Sequence, residues 1–178
     1  MKTHIALLRG LNVGGHKILK MADLKLLFES LGFAEVTTYI QSGNVLFSSS
    51  EPQMKALILE EIISEGIKEL YGFEVPVLVK EISEVEAILA ACPFSEAKKM
   101  ASFFTLLNQK PSEDLVKEIS KLDFPDEEFI ITENCVYLFS EKGYNEVKCN
   151  NNFFEKKLKV AATTRNHRTM AKLVELAK

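Results

Sequence analysis

The chain has 178 residues, 47% of them apolar and 26% charged, with a formal net charge of −3, the balance of an ordinary globular protein. A pI near 5.7 excludes a general polyanion binder, whose mark is a basic domain or stripe, so any anion site has to be local. No window approaches the roughly 18 apolar residues of a membrane span, Ile5–Leu8 is too short for a signal-peptide core, and Cys92, Cys135 and Cys149 form neither a CxxC pair nor a zinc set. The expectation is a reduced, cytoplasmic protein with no metal, no cofactor and no membrane partner.

The first strand reads as His4 to Leu11, followed by a helix over Met21–Leu31 with Leu24, Leu27, Phe28 and Leu31 on one face and Gly32 as its C-terminal cap. Val36–Gln41 and Val45–Ser48 read as strands joined by a tight turn at Ser42-Gly43-Asn44. Pro52 opens a long helix to about Tyr71, with Leu57, Ile58, Ile62, Ile63, Ile67 and Leu70 inward and Gly72 at its end; Val75–Val79 is the fourth strand. Ile82–Ala91 is a connecting helix stopped at Cys92-Pro93. The pattern then restarts: strand 102–107, helix 112–122 with Leu115, Ile119 and Leu122 inward, a hairpin of 129–132 and 136–139 across Glu133-Asn134, helix 151–157, strand 160–163 and a closing helix 168–178.

Both halves follow the order βαββαβ, the split-βαβ or ferredoxin-like arrangement. The fold expected is therefore α+β: two ferredoxin-like domains, 1–81 and 82–178, each an antiparallel sheet with helices packed on one face. The second carries the connecting helix and an extra C-terminal helix.

Chemistry concentrates in two places. The first is Arg9-Gly10-Leu11-Asn12-Val13-Gly14-Gly15, a glycine-rich turn between strand and helix. Such a turn can present backbone N–H groups to an anion beside a helix N-terminus. Arg9 is one of three arginines, with Arg165 and Arg168, beside nineteen lysines, and arginine is the choice where a planar bidentate donor is needed. The topology puts this loop beside Gln41-Ser42-Gly43-Asn44, so Arg9, Asn12, Gln41, Ser42 and Asn44 converge on one edge, flanked by His16 and Lys17. Turn chemistry alone also accounts for Gly43 and Asn44. The glycine spacing, G-x-x-x-G-G, matches neither the dinucleotide fingerprint nor a P-loop.

The second place is Thr163-Thr164-Arg165-Asn166-His167-Arg168-Thr169, read as the junction of the last strand and last helix, with Asn166 or Thr164 as N-cap. Cations at a helix N-terminus are unfavourable unless an anion or a carboxylate sits among them. An anion pocket and a salt bridge explain Arg165 and Arg168 equally well. Catalytic residues remain unassigned: only His4, His16 and His167 are available as histidine bases, and no G-x-S-x-G, H-E-x-x-H or paired-acid signature occurs. Base stacking on a sheet would draw on Phe47, Phe103, Phe104, Tyr137 and Phe139, without an RNP1-like run to support it.

The segments Ala6–Gly15, Lys20–Leu24, Tyr39–Val45 and Thr163–Asn166 resemble, in order and spacing, the signatures of the bacterial family catalogued as domain of unknown function 1697. The resemblance covers the whole chain, and His167 stands where the family often has an aromatic. It implies a two-domain ferredoxin-like fold and no established activity. Its recurring polar positions fall on Arg9, Gly10, Asn12, Gly14, Gly15, Gln41, Ser42, Gly43, Asn44, Arg165 and Asn166. The function expected is a local anion pocket built by Arg9, Asn12, Gly14, Gly15, Gln41, Ser42 and Asn44, joined by Arg165 and Asn166 if the second domain folds back. Its ligand would be a nucleotide, a phosphorylated metabolite or a short nucleic-acid segment. The alternatives are an enzyme acting on a phosphorylated small molecule through His16, His167 or Ser42, and a structural protein whose arginines pair across a domain or dimer interface.

Overall fold

The computed structural model describes residues 2–51 and 53–178. Its elements run β1 (Lys2–Leu8), α1 (Met21–Ser30), β2 (Ala34–Tyr39), β3 (Asn44–Ser49), α2 (Ala56–Tyr71), β4 (Val77–Glu81), α3 (Ile82–Ala90), α4 (Glu96–Met100), β5 (Phe103–Leu107), α5 (Glu113–Ile119), β6 (Glu127–Ile131), β7 (Cys135–Ser140), α6 (Asn151–Leu158), β8 (Ala162–Asn166) and α7 (His167–Leu176). The chain divides into two compact units. Unit 1 runs to Val85 and takes in Glu175–Lys178; unit 2 is Glu86–Val174. Each holds a four-stranded antiparallel sheet, ordered β2-β3-β1-β4 and β6-β7-β5-β8. With the order βαββαβ in each, both are ferredoxin-like and the fold is α+β.

In unit 1 the alternate residues Ala6 and Leu8 of β1 and Val45 and Phe47 of β3 point into one core with Leu24, Leu27 and Phe28 of α1 and Leu59, Ile63 and Ile67 of α2. Each of these Val, Leu, Ile and Phe side chains contributes about 1.5–3 kcal/mol by leaving water. Unit 2 repeats the plan: Leu107, Val136 and Leu138 pack with Ile119 of α5 and Phe154 and Leu158 of α6. The other face of the second sheet is also covered, since the Tyr137 hydroxyl donates to the Ile88 carbonyl of α3 at 2.9 Å and Phe94 packs edge-on against Phe139.

Strand β1 ends at Leu8 rather than Leu11, β4 runs over Val77–Glu81 rather than 75–79, and α2, α5, β8 and α4 also differ from the expectation. The proposed start of the second helix at Pro52 lies outside the described residues, and α2 begins at Ala56. Its inward stripe is Leu59, Ile63 and Ile67, whereas Leu57, Ile58 and Leu70 are exposed. The helix is apolar on several sides, and Gly66 decides its rotation: a Cβ there would sit 3.3 Å from Leu31, so the bare side faces α1. Helix α5 stops at Ile119, its end tightened by bonds from Lys121 to Glu118 and Leu122 to Ile119, which leaves Leu122 exposed. Strand β8 continues through Asn166, paired with Phe103, so Thr163–Asn166 is strand rather than loop. The short helix α4 had no periodicity to announce it.

Candidate functional site

Strand β1 lies antiparallel to both β3 and β4, with Leu7 opposite Asn44 and Leu8 opposite Val77. The β2–β3 hairpin and the α2–β4 loop therefore share the edge at which β1 ends. Leu8 N–H donates to the Gly43 carbonyl at 2.8 Å and Arg9 N–H to the Pro76 carbonyl at 3.0 Å. The convergence of the Arg9 loop with Gln41–Asn44 is thus present. The third member, residues 72–76, went unforeseen because Gly72 read only as the stop of the helix and Val75 as the start of the next strand, which begins at Val77.

Residues 9–20 form a small hairpin arm. Val13 and His16 make a bridge, His16 N–H donates to the Val13 carbonyl at 3.0 Å, and Asn12 N–H donates to the Lys17 carbonyl at 3.2 Å. Gly14 (φ 59°) and Gly15 (φ 76°) are both left-handed, as a two-residue hairpin turn of the primed type requires. This corrects the expectation that they present N–H groups beside a helix N-terminus: they sit at the arm's tip, and α1 begins only at Met21. Leu11 and Leu19 are buried and anchor the arm, while Val13 is 64% and Ile18 68% exposed.

Asn12 clamps the arm. Its Nδ2 donates to the carbonyls of Leu19 at 2.9 Å and Gln41 at 2.8 Å, and its Oδ1 accepts from Leu19 N–H at 2.8 Å. Both amide hydrogens are engaged within the protein, so the proposed Asn12 donor role is not available in this geometry. Lys17 tethers the arm to the third loop, its Nζ donating to the Glu74 carbonyl at 2.6 Å.

The hairpin opposite is built for close approach. A Cβ on Gly43 (φ 77°) would lie 2.8 Å from Leu8 Cβ and 3.0 Å from Leu11 Cδ1; only glycine fits there. Asn44 is fully buried and spends its Nδ2 on the Tyr39 carbonyl and the Ser42 hydroxyl, each at 3.0 Å. Like Asn12 it is a structural group here. Arg9 is half-buried, Ser42 is half-buried and the Gln41 side chain is exposed.

Arg165 and Asn166 lie in unit 2 at the start of β5, the sheet end opposite to that equivalent to Arg9. Asn166 is the N-cap of α7: its Oδ1 accepts from Thr169 N–H at 2.8 Å. Arg165 donates through Nη1 to the Thr164 carbonyl at 3.0 Å, and desolvation lowers its guanidinium to about 10. Arg168 is exposed. Burial, then Lys99, lowers the His167 imidazole from its ordinary value.

The aromatics on which base stacking would draw are not presented for it. Phe47, Phe104 and Tyr137 are buried, Phe103 leans on Tyr144, and Phe139 carries Lys98 Nζ over its ring. His4 is nearly buried and stacks on Phe47; its Nδ1 has no partner, and burial lowers its imidazole from the ordinary value. Among the described residues no cluster of His, Cys, Asp and Glu has the arrangement of a metal site, and no helix is long and apolar enough to cross a membrane.

No curated protein matches the chain. Among solved structures, the conserved bacterial protein SP0830 from Streptococcus pneumoniae is similar over 99% of each chain, with a TM-score of 0.74 and 23% identity, a likeness of fold. The family model described as Protein of unknown function (DUF1697) matches residues 1–137. With the converging loops of unit 1 inside that span, the chain belongs to this family.

Proposed function

We propose that this chain is a cytoplasmic bacterial protein that binds an anion at the edge where β1 ends, with Arg9 as the principal side-chain donor. The observation that carries the reading is the convergence of three loops on Arg9, fastened by Asn12 to Gln41, by Arg9 N–H to Pro76 and by Lys17 to Glu74. A half-buried arginine on a braced loop is pre-organised for bidentate contact with a phosphate or carboxylate. Gln41 and Ser42 are the further donors. Lys20 precedes the first turn of α1, which has no side-chain cap, so an anion there also meets the positive end of the helix. The ligand class is a nucleotide, a phosphorylated metabolite or a nucleic-acid phosphate. Cys92, Cys135 and Cys149 form no disulfide, which accords with a reducing compartment.

A second reading applies to Arg165. Its desolvated guanidinium and its bond to the Thr164 carbonyl favour a structural role in unit 2. Catalysis has less support, because His16 lies on the exposed arm, where nothing shields a reaction from water. Thermal unfolding with added phosphate and ADP tests the assignment. The wild type is stabilised, Arg9→Ala keeps its fold and loses the stabilisation, and Arg165→Ala lowers the melting temperature with or without ligand. Equal stabilisation of wild type and Arg9→Ala by both anions overturns the binding site.

A further inference from the structure

We infer that the open edge of β6 takes up an extended basic peptide as a fifth strand, with alternate side chains of the peptide seated in the groove between β6 and α5. In an antiparallel ladder, hydrogen-bonded and non-bonded residue pairs alternate. Thr132 N–H donates to the Cys135 carbonyl at 2.9 Å at one end of the β6–β7 ladder, and Glu141 N–H donates to the Asp126 carbonyl at 3.2 Å at the other. Glu128 and Ile130 share that parity and bond inward to Phe139 and Tyr137, their partners in register. Glu127, Phe129 and Ile131 therefore turn their N–H and C=O groups away from the sheet. Glu127 N–H is taken by the Phe124 carbonyl at 3.2 Å. Among the described residues nothing bonds the main-chain groups of Phe129 and Ile131, and no residue of β6 is buried.

The other three sheet edges are guarded. In unit 1, β4 has Val79 N–H bonded to Glu60 Oε1 at 2.8 Å and Glu81 N–H to Glu84 Oε2 at 2.9 Å. On the far side, β2 shifts register between Ala34 and Thr37, with Glu35 at a φ of 53°. In unit 2, β8 has Ala162 N–H bonded to Glu155 Oε1 at 3.0 Å and the Thr164 carbonyl to Arg165 Nη1 at 3.0 Å. Devices of this kind stop strand addition. An edge without them can receive a peptide, whose main-chain hydrogen bonds supply affinity while pockets for alternate side chains supply selectivity. Such a pocket adjoins β6: the cavity of about 280 Å³ has Pro111, Val116 and Lys117 on one wall and Ile131 on the other. It is smaller than the roughly 300–1,000 Å³ of a small-molecule site, and suits side chains rather than a whole ligand. Peptide residues opposite Phe129 and Ile131 share the face on which these two meet the core; the residue between them lies beside exposed Ile130.

Charge selects the occupant. Residues 113–133, from the start of α5 to the turn after β6, carry eight acids against Lys117 and Lys121, a formal −6. Lysines outside the segment match three of the acids: Lys110 pairs with Glu133 at 2.6 Å, Lys142 with Asp126 at 2.7 Å, and Lys98 with Glu128. The segment is left at −3, as much as the whole chain carries. A second copy offering the same edge brings the same charge, because a two-fold contact sets a patch against itself, and like charges across a strand pair are destabilising. A basic strand is attracted to the same surface.

Fluorescence anisotropy of the full chain with a labelled peptide, Arg-Val-Lys-Val-Thr-Val-Arg blocked at both ends, tests this. The peptide binds about tenfold more tightly than its counterpart with Glu in place of Arg and Lys. N-methylation of the valines, whose N–H groups face β6 when their side chains enter the groove, abolishes binding; N-methylation of Lys and Thr, which face away, leaves it. Hydrogen exchange slows at the amides of Phe129 and Ile131 when the peptide is added, and Ile130, already bonded to β7, is unchanged. Ile131→Pro removes an outward N–H and spares the ladder with β7, weakening binding about tenfold. Glu113→Lys, at the groove, weakens it severalfold and flattens its salt dependence. Where Ile131→Pro lowers the melting temperature, the N-methylated peptides carry the same test. The inference is overturned by absence of binding at about 1 mM peptide, by equal binding of the acidic or the valine-methylated peptide, or by protection that spares Phe129 and Ile131. It is also overturned by a dimer in sedimentation that Ile131→Pro dissolves, since a second copy is then the occupant.

Discussion

The ends of β1 and β5 are the same piece of architecture used twice. In unit 1, Leu8 N–H reaches Gly43 and Arg9 N–H reaches Pro76; in unit 2, Leu107 N–H reaches Asn134 at 2.9 Å and Asn108 N–H reaches Ala161 at 3.0 Å. Arg9 and Asn108 are thus equivalent positions. Beyond them the two chain paths diverge. Unit 2 passes to α5 through residues 108–112, whereas unit 1 inserts the arm before α1. The equivalent edge of unit 2 carries a shallow cavity of about 280 Å³ lined in part by Lys110, Pro111, Ile131 and Glu133, with Lys110 and Glu133 paired at 2.6 Å. Strand pairing sets the frame in both units, and the connection is free to vary because it needs only its own hydrogen bonds satisfied. Function is added at such connections on a rigid scaffold.

The sharpest way to break this comparison is at the hairpins. Gly43→Ala forces a Cβ against Leu8 in a left-handed backbone, so overpacking and strain together cost about 2–4 kcal/mol. Asn134→Ala, at the equivalent and exposed position, costs about 0.5 kcal/mol or less. Urea unfolding of the two variants measures the difference, and equal losses mean that the close approach in unit 1 is not what holds its edge together. Next comes the clamp. Asn12→Gly keeps the positive φ of 55° at no steric cost and removes three hydrogen bonds, for a loss of about 1–3 kcal/mol. Hydrogen exchange is expected to show residues 12–19 losing protection while β1 keeps its own.

The histidines extend the comparison to pH. Both His4 and His167 have folded values below 6.5, so the unfolded chain binds more protons in acid. The stability contributed by neutral imidazole is complete above about pH 6.5 and is lost as pH falls through the folded values. His4 is more enclosed, with an unpartnered Nδ1, so His4→Phe is expected to remove more of the pH 7 to pH 5 dependence of the urea midpoint than His167→Gln. The reverse order would place the burden in unit 2. The smallest effect separates the helix starts: Asn166→Ala removes the cap of α7 and costs about 1 kcal/mol. Lys20→Ala removes no cap bond from α1 and changes the melting temperature little.

Much of the fold was legible because its signals are local. The apolar runs of β1 and β3, the helical stripe of α1, and Gly72 closing α2 each depend on a few neighbouring residues. The stripe of α2 was misjudged because apolar residues on several sides offer more than one helical face, and Gly66 against Leu31, a contact distant in sequence, chooses between them. The site was legible as a place more than as a set of groups. Antiparallel order alone brings the Arg9 loop to the Gln41–Asn44 hairpin. Which atoms remain to meet a ligand depends on hydrogen bonds made across that junction, and these take Asn12 and Asn44 out of the donor set. Asn166 shows the reverse: its capping role is a matter of spacing to Thr169, three residues on, and could be named in advance.

By itself the sequence determined the two βαββαβ units, the edge on which their polar loops gather and the scarcity of arginine that marks Arg9, because periodicity, turn chemistry and composition are properties of short stretches. Only the tertiary structure decided that Gly14 and Gly15 turn a hairpin, that Asn12 is a clamp, and that Gly43 must be glycine. Those outcomes depend on what stands opposite each residue, which is fixed when the strands pair.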